Sequence, residues 1–142
     1  MVASVDPAAM GKLVESARVA RLATVAPDGS PHLVPVCFVV LGDVVYSAVD
    51  QKPKRSTRLR RITNVEATRH VCLLVDEYDE DWAGLWWVRL DGFGRVVDAP
   101  DEQAWALSAL VAKYPQYSDR APTGPVLRID VTRWSGWSPR QA

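Results

Sequence analysis

Residues 20 to 50, ARLATVAPDGSPHLVPVCFVVLGDVVYSAVD, set two turn signatures inside a run that is otherwise apolar and β-branched. Pro27-Asp28-Gly29-Ser30 and Gly42-Asp43 supply residues that tolerate tight reversals, so the segment reads as three antiparallel strands. The middle strand, residues 32 to 41, is apolar on both faces and is interrupted by Pro35. Proline has no N–H for a ladder, which confines it to an edge or a bulge and leaves backbone groups nearby free to meet a ligand.

The flanking segments extend this pattern. Asp6 is placed to cap a short helix with Pro7 in its first turn, and Met10, Leu13 and Val14 form a sparse apolar stripe. Downstream, RHVCLLVDEY reads as a strand running into the acidic loop DEYDED. LWWVRLDGFGRVVD reads as a long strand or hairpin with Gly92 and Gly94 as bulge or kink points. APDEQAWALSALVAKY is a capped amphipathic helix carrying Trp105, Leu107, Leu110 and Val111. The closing PVLRIDVTRWSGW alternates, with Leu127, Ile129 and Val131 on one face and Arg128, Asp130 and Thr132 on the other. Six or seven strands in hairpin order with three short helices predict a mainly β (α+β) single domain spanning residues 1–142, a small antiparallel barrel whose closure would remove exposed edges. A chain of 142 residues can bury about two-thirds of its unfolded surface without metal or disulfide. Six tryptophans exceed the needs of such a core and point to an interface.

Charge is the second constraint. Lysine plus arginine equals aspartate plus glutamate at 17 each, so no global field draws the chain to nucleic acid or to a membrane. The positive charge is instead local: DQKPKRSTRLRR, residues 50 to 61, holds Lys52, Lys54, Arg55, Arg58, Arg60 and Arg61. A helix is predicted from Arg55 to Glu66, with Leu59, Ile62 and Val65 as its stripe and Pro53 near its first turn. Cations at that end oppose the helix dipole by roughly 0.3–1 kcal/mol each, and a bound anion would reverse the sign. Arg55 and Arg58 start from the core-facing side. Two readings stay open, a phosphate-type anion site and a solvated basic helix paired with the acids of 76 to 81.

Self-sufficient catalytic apparatus is missing from the sequence. His32 and His70 lie in strand contexts without an adjacent nucleophile, and no nucleophile elbow, metalloprotease helix, P-loop or dinucleotide fingerprint occurs. Cys37 and Cys72 sit apart in apolar runs, as buried thiols rather than metal ligands. The acids of 76 to 81 lack the spacing and glycine of a calcium loop. Any redox chemistry would therefore be carried by a cofactor, with the protein supplying orientation and anion contacts. The N-terminus lacks a signal-type apolar core and no apolar run approaches the ~18 residues of a membrane span, so a cytoplasmic protein is expected.

The succession RLATVAPDGSPHLVPVCFVV, YSAVDQKPKRSTRLRRITN and VCLLVDEYDEDWAGLWWVRLDGFGRV resembles the split β-barrel proteins related to pyridoxamine 5′-phosphate oxidase, and most closely their branch that uses coenzyme F420. The resemblance covers nearly the whole chain. It implies a homodimer with two cofactor grooves at the subunit interface, in which Lys52, Lys54, Arg55 and then Arg58 hold the cofactor's phosphate. Pro35, Val36 and Cys37, with Ser47 and Ala48, would line the deazaflavin ring. Trp86 and Trp87 would close the groove or pack the dimer. The implied activity is hydride transfer from the reduced deazaflavin to a small conjugated or aromatic acceptor. An FMN-dependent enzyme of the same fold and a non-catalytic F420 carrier are the alternatives.

Overall fold

A computed structural model describes residues 6–49 and 59–139. The basic candidates Lys52, Lys54, Arg55 and Arg58 lie outside the described residues.

The chain opens with helix α1, Pro7–Ser16, capped as its sequence predicts: Asp6 Oδ1 accepts from the amides of Ala8 (2.9 Å) and Ala9 (3.4 Å). Four strands follow where the sequence predicted three, namely β1 (Ala20–Val25), β2 (Pro31–Val36), β3 (Val39–Leu41) and β4 (Val44–Ala48). Both turns fall where the glycines require them. Gly29 and Gly42 take φ of 89° and 66°, the left-handed region that glycine enters without steric cost. The Asp28 carboxylate accepts from Ser30 N at 2.9 Å, which holds its pKa below the usual value.

The expected middle strand breaks at Cys37-Phe38 and not at Pro35. Pro35 is tolerated inside β2 because β2 is an edge strand, paired on one side only, with Pro35 opposite Arg21.

Helix α2 spans Arg60–Thr68, five residues later than the predicted start. Leu59 is its N-cap in an extended conformation and is 42% exposed, so it is no part of the stripe; Ile62, Asn64 and Val65 make the buried face. Asn64 Nδ2 donates to Thr24 Oγ1 at 3.1 Å and Thr68 Oγ1 to the Val25 carbonyl at 2.8 Å, fastening α2 to β1. Of the acids 76 to 81, Asp76 pairs with Arg21 on β1, at 3.1 Å.

Strands β5 (His70–Glu77), β6 (Trp86–Val96) and β7 (Val126–Trp137) complete one antiparallel sheet in the order β2-β1-β5-β6-β7-β4-β3. Residues 86–96 form one strand, not a hairpin, with a register shift at Asp91/Gly92. A β-carbon on Gly92 would lie 2.1 Å from the Asp130 carbonyl oxygen, so the two backbones meet there with no room for a side chain.

The sheet is the curled, seven-stranded antiparallel split barrel that the resemblance implies, and it stops short of the full closure that would remove its edges. Among the described residues its two edges, β2 and β3, are consecutive in the chain yet do not pair with each other. The result is a half-barrel split along one seam. Its interior is filled by Leu22, Phe38, Val45, Leu73, Leu90 and Ile129, with α1 and α2 packed against the same core.

Helix α3, Pro100–Lys113, makes a second layer over β3, β4 and β7. Only Ala106 and Leu110 of α3 are buried; Trp105 is exposed and meets Tyr46 edge-on, and Ala99 provides no side-chain cap. A polar cluster seats its first turn instead. Glu102 accepts from Tyr46 Oη and Arg128 (both 2.6 Å) and from Arg95 (3.1 Å). These partners, Tyr46 first, hold its carboxyl down to about 2.

Candidate functional site

The seam between β2 and β3 is the site's starting point, because it is where the sheet leaves backbone unpaired by strands. β3 pairs with β4 only at Val39–Tyr46, Val40–Val45 and Leu41–Val44. Ser47 and Ala48 continue the ladder to β7 on the other side, against Leu127 and Val126. Toward the seam, that edge of β4 has no strand partner among the described residues. The Ser47 hydroxyl reaches across it and donates to the Cys37 carbonyl at 2.7 Å.

Tyr114, just past α3, satisfies the peptide at the break. The Phe38 amide donates to its hydroxyl at 3.0 Å, and the hydroxyl lies 3.0 Å from the carbonyl oxygens of both Phe38 and Arg18. Burial pushes the phenol's pKa up. Sequence reasoning missed Tyr114: its partners are 76 and 96 positions away, and no local signal marks it.

Lys113 lies beside it. Its ammonium sits 3.8 Å from the Phe38 ring centroid, is buried, and has no hydrogen-bond partner among the described residues. The Arg18 guanidinium stacks on Tyr114 and donates to the Lys113 carbonyl at 2.9 Å. Desolvation, followed by the charge of Arg18, lowers the Lys113 pKa from 10.5 to about 8. The folded state therefore binds fewer protons than the unfolded one between pH 8 and 10.5, and this group's contribution to stability rises with pH across that window. Lys113→Met keeps the stem and removes the charge. It is expected to raise Tm at pH 7 by roughly 3 °C, through relief of an unsatisfied buried donor. The gain should shrink as pH climbs past 8, and a lower Tm at pH 7 would show that the cation–π contact outweighs desolvation.

The other sequence candidates divide between faces. Ser47 and Ala48 are buried, Ser47 toward the barrel interior and Ala48 under α3. Val36 is buried in the interior, Cys37 is half-buried against the α3 layer, and Pro35 is exposed on the opposite face of β2. Trp87 shares that outer face, opposite Asp76 and Trp137, whereas Trp86 faces inward. The structure thus joins Cys37 to Ser47 directly and separates Pro35 from Trp87 by the two intervening strands β1 and β5.

Neither cysteine is the fully buried thiol expected; both are half-buried and free. Burial, then Asp91, pushes Cys72 up to about 11, far from a reactive thiolate. His70 packs against Phe93 at 5.2 Å between ring centroids, and His32 Nδ1 is buried without a hydrogen-bond partner among the described residues. Among the described residues no group of three or more His, Cys, Asp and Glu could hold a metal, and no helix is long and apolar enough to cross a membrane.

An open seven-stranded antiparallel sheet whose edge strands β2 and β3 are neighbours in sequence, with three α-helices, is a split β-barrel. The sequence pattern of the pyridoxamine 5′-phosphate oxidase family matches residues 7–138, and the chain belongs to that family. No curated protein matches it significantly. Among solved structures, a conserved hypothetical protein from Mycobacterium tuberculosis aligns with a TM-score of 0.79 at 21% identity, covering 96% of this chain and 87% of the other. An FAD-binding protein from Mesorhizobium loti aligns at 0.72 and 23% identity, covering 96% and 95%. An FAD-binding protein from Mycobacterium smegmatis aligns at 0.66 and 20%, covering 95% and 96%. At these identities the likeness is one of fold.

Proposed function

We propose that this protein is a cytoplasmic, homodimeric oxidoreductase that binds coenzyme F420 and reduces a small conjugated or aromatic acceptor. One observation carries the reading. The edge of β4 without a strand partner, at Ser47 and Ala48, leads within a few residues into the cationic run of Lys52, Lys54, Arg55 and Arg58. A flat ring against that edge, with its acidic tail drawn along the run, uses both features at once.

The chain's own residues bind and orient. Ser47, tied to Cys37, keeps the seam at a set width, and Tyr114 prevents the Cys37–Phe38 peptide from refolding into the gap. The lysines and arginines neutralise phosphate and carboxylates. Val36 and Phe38, both buried, keep water from the inner side of the seam. When bound, the deazaflavin supplies the hydride; solvent supplies the proton, and no side chain acts as nucleophile.

A second reading, FMN in the same groove, is favoured by the FAD-binding neighbours. Titrating the purified protein with F420 and FMN side by side separates the two. Tighter binding of F420, with oxidation of its reduced form by an aromatic acceptor, is the expected result. FMN outcompeting F420, with a yellow flavin copurifying, selects the second. Tight F420 binding without turnover over a broad acceptor panel would leave a carrier.

A further inference from the structure

The inner mouth of the half-barrel holds an open cleft of about 360 Å³, within the size range of small-molecule sites, which favour the mouths of β-barrels. One wall is α1, through Ala9, Lys12 and Leu13; the other is Ala83 of the 3-10 turn Trp82–Gly84 together with Trp86, and Ser138 lies at the end of β7. Of these residues only Trp86 is among the sequence candidates for the cofactor groove, and it faces the interior, away from Ser47 and Cys37 at the seam.

The far wall is held rigidly. Trp86 Nε1 donates to Glu77 Oε2 at 3.0 Å, which fixes the indole plane at the cleft. The turn before it is braced twice, since Asp79 accepts from the Asp81 amide at 2.9 Å and Asp81 from the Ala83 amide at 3.1 Å. Gly84 lies so close to Asp79 that an added β-carbon would sit 2.5 Å from its carboxylate oxygen. A preformed aromatic wall facing an aliphatic helix surface suits a flat apolar molecule. Charge narrows the class further. Lys12 is exposed at the rim, and among the described residues no carboxylate lies within ion-pair distance of it.

We infer that the cleft between α1 and Trp86 is a binding site for a small aromatic anion, its ring against the Trp86 indole and Leu13 and its acidic group toward Lys12. The cleft can be tested on the protein without cofactor. The probes are anilinonaphthalene sulfonate, an aromatic anion, and N-phenylnaphthylamine, its neutral counterpart. The sulfonate is expected to bind saturably at one equivalent per chain, to a protein whose Tm stays unchanged or rises. Lys12→Glu, an exposed substitution that should not disturb folding, should weaken the sulfonate about tenfold and leave the neutral dye within about twofold. Ala9→Trp, which fills the cleft, should abolish both signals, and Leu13→Trp provides the same test should the first variant not fold. Absence of saturable binding, equal effects of Lys12→Glu on the two dyes, or full binding by a folded, filled variant would each overturn the site.

Discussion

Lys54→Ala combined with Arg55→Ala is expected to lower F420 affinity at least a hundredfold while leaving Tm within about 2 °C of the parent. Each charge-assisted contact to a phosphate or carboxylate contributes about 1.5–3 kcal/mol, so removing two costs roughly 3–6 kcal/mol, against 1.4 kcal/mol per tenfold in affinity. The same contacts make the parent's affinity fall with added salt, and the variant's salt dependence should be flatter. Arg60 is the internal control. It opens α2 with an exposed side chain and acts electrostatically on Asp28 in the β1–β2 turn, so Arg60→Ala should change affinity by less than threefold. The readout is equilibrium binding by deazaflavin fluorescence, independent of any acceptor. Unchanged affinity in the double variant would remove the cofactor assignment, and equal losses in the double variant and the Arg60 control would reduce it to nonspecific charge attraction.

Gly92→Ala is expected to destabilise the fold strongly, costing about 3 kcal/mol or more and lowering Tm by roughly 10 °C. The added methyl would sit 2.1 Å from the Asp130 carbonyl oxygen and 3.1 Å from Val131 Cα, both backbone atoms that cannot rotate aside. Relief requires β6 and β7 to separate where the register shifts, between the pairs Asp91–Arg133 and Gly92–Val131. That separation would also disturb the Val131 amide, which donates to Asp43 at 2.8 Å, and the Thr132 hydroxyl, which donates to the Asp91 carbonyl at 3.2 Å. Gly29→Ala is the comparison: its β-carbon meets open space, and the cost is confined to a φ of 89°. Thermal unfolding of the two variants measures the difference. Equal losses would mean that the bulge relaxes freely.

Local chemistry made much of the fold legible. The Asp6 cap, the two turns, the alternation of β7 and the Gly92 irregularity all arise within a few residues, and the structure has them where the sequence puts them. The misreadings share a different cause. The edge position expected for Pro35 holds, since β2 ends the sheet, but the strand's break falls instead at Cys37-Phe38, where Tyr114 satisfies the unpaired peptide. Leu59 has the right spacing for the α2 stripe yet falls at the N-cap, since spacing alone does not say where a helix begins. Trp105 has the hydrophobicity of a core residue, but the Glu102 cluster beside it rotates α3 so that Ala106 and Leu110 face inward.

The candidate site was legible in outline only. The cationic run can be read directly from composition, but the seam that gives it a neighbour depends on contacts between residues 38 and 114, 37 and 47, and 18 and 113. Long-range pairings of this kind leave no periodic trace. The cleft at Trp86 was equally hidden, because it requires α1 and residues 83 to 86 to meet across more than 70 positions of chain.

The Cys37–Phe38 peptide joins the first and last rails of the sheet, so the two sides of the split are linked by covalent chain and one phenol instead of by rungs. Among the described residues the six ladders join every other neighbouring pair of rails, so spreading the two outer ones would break none of them. On the proposed reading, that line between the outer rails is where a planar cofactor would enter.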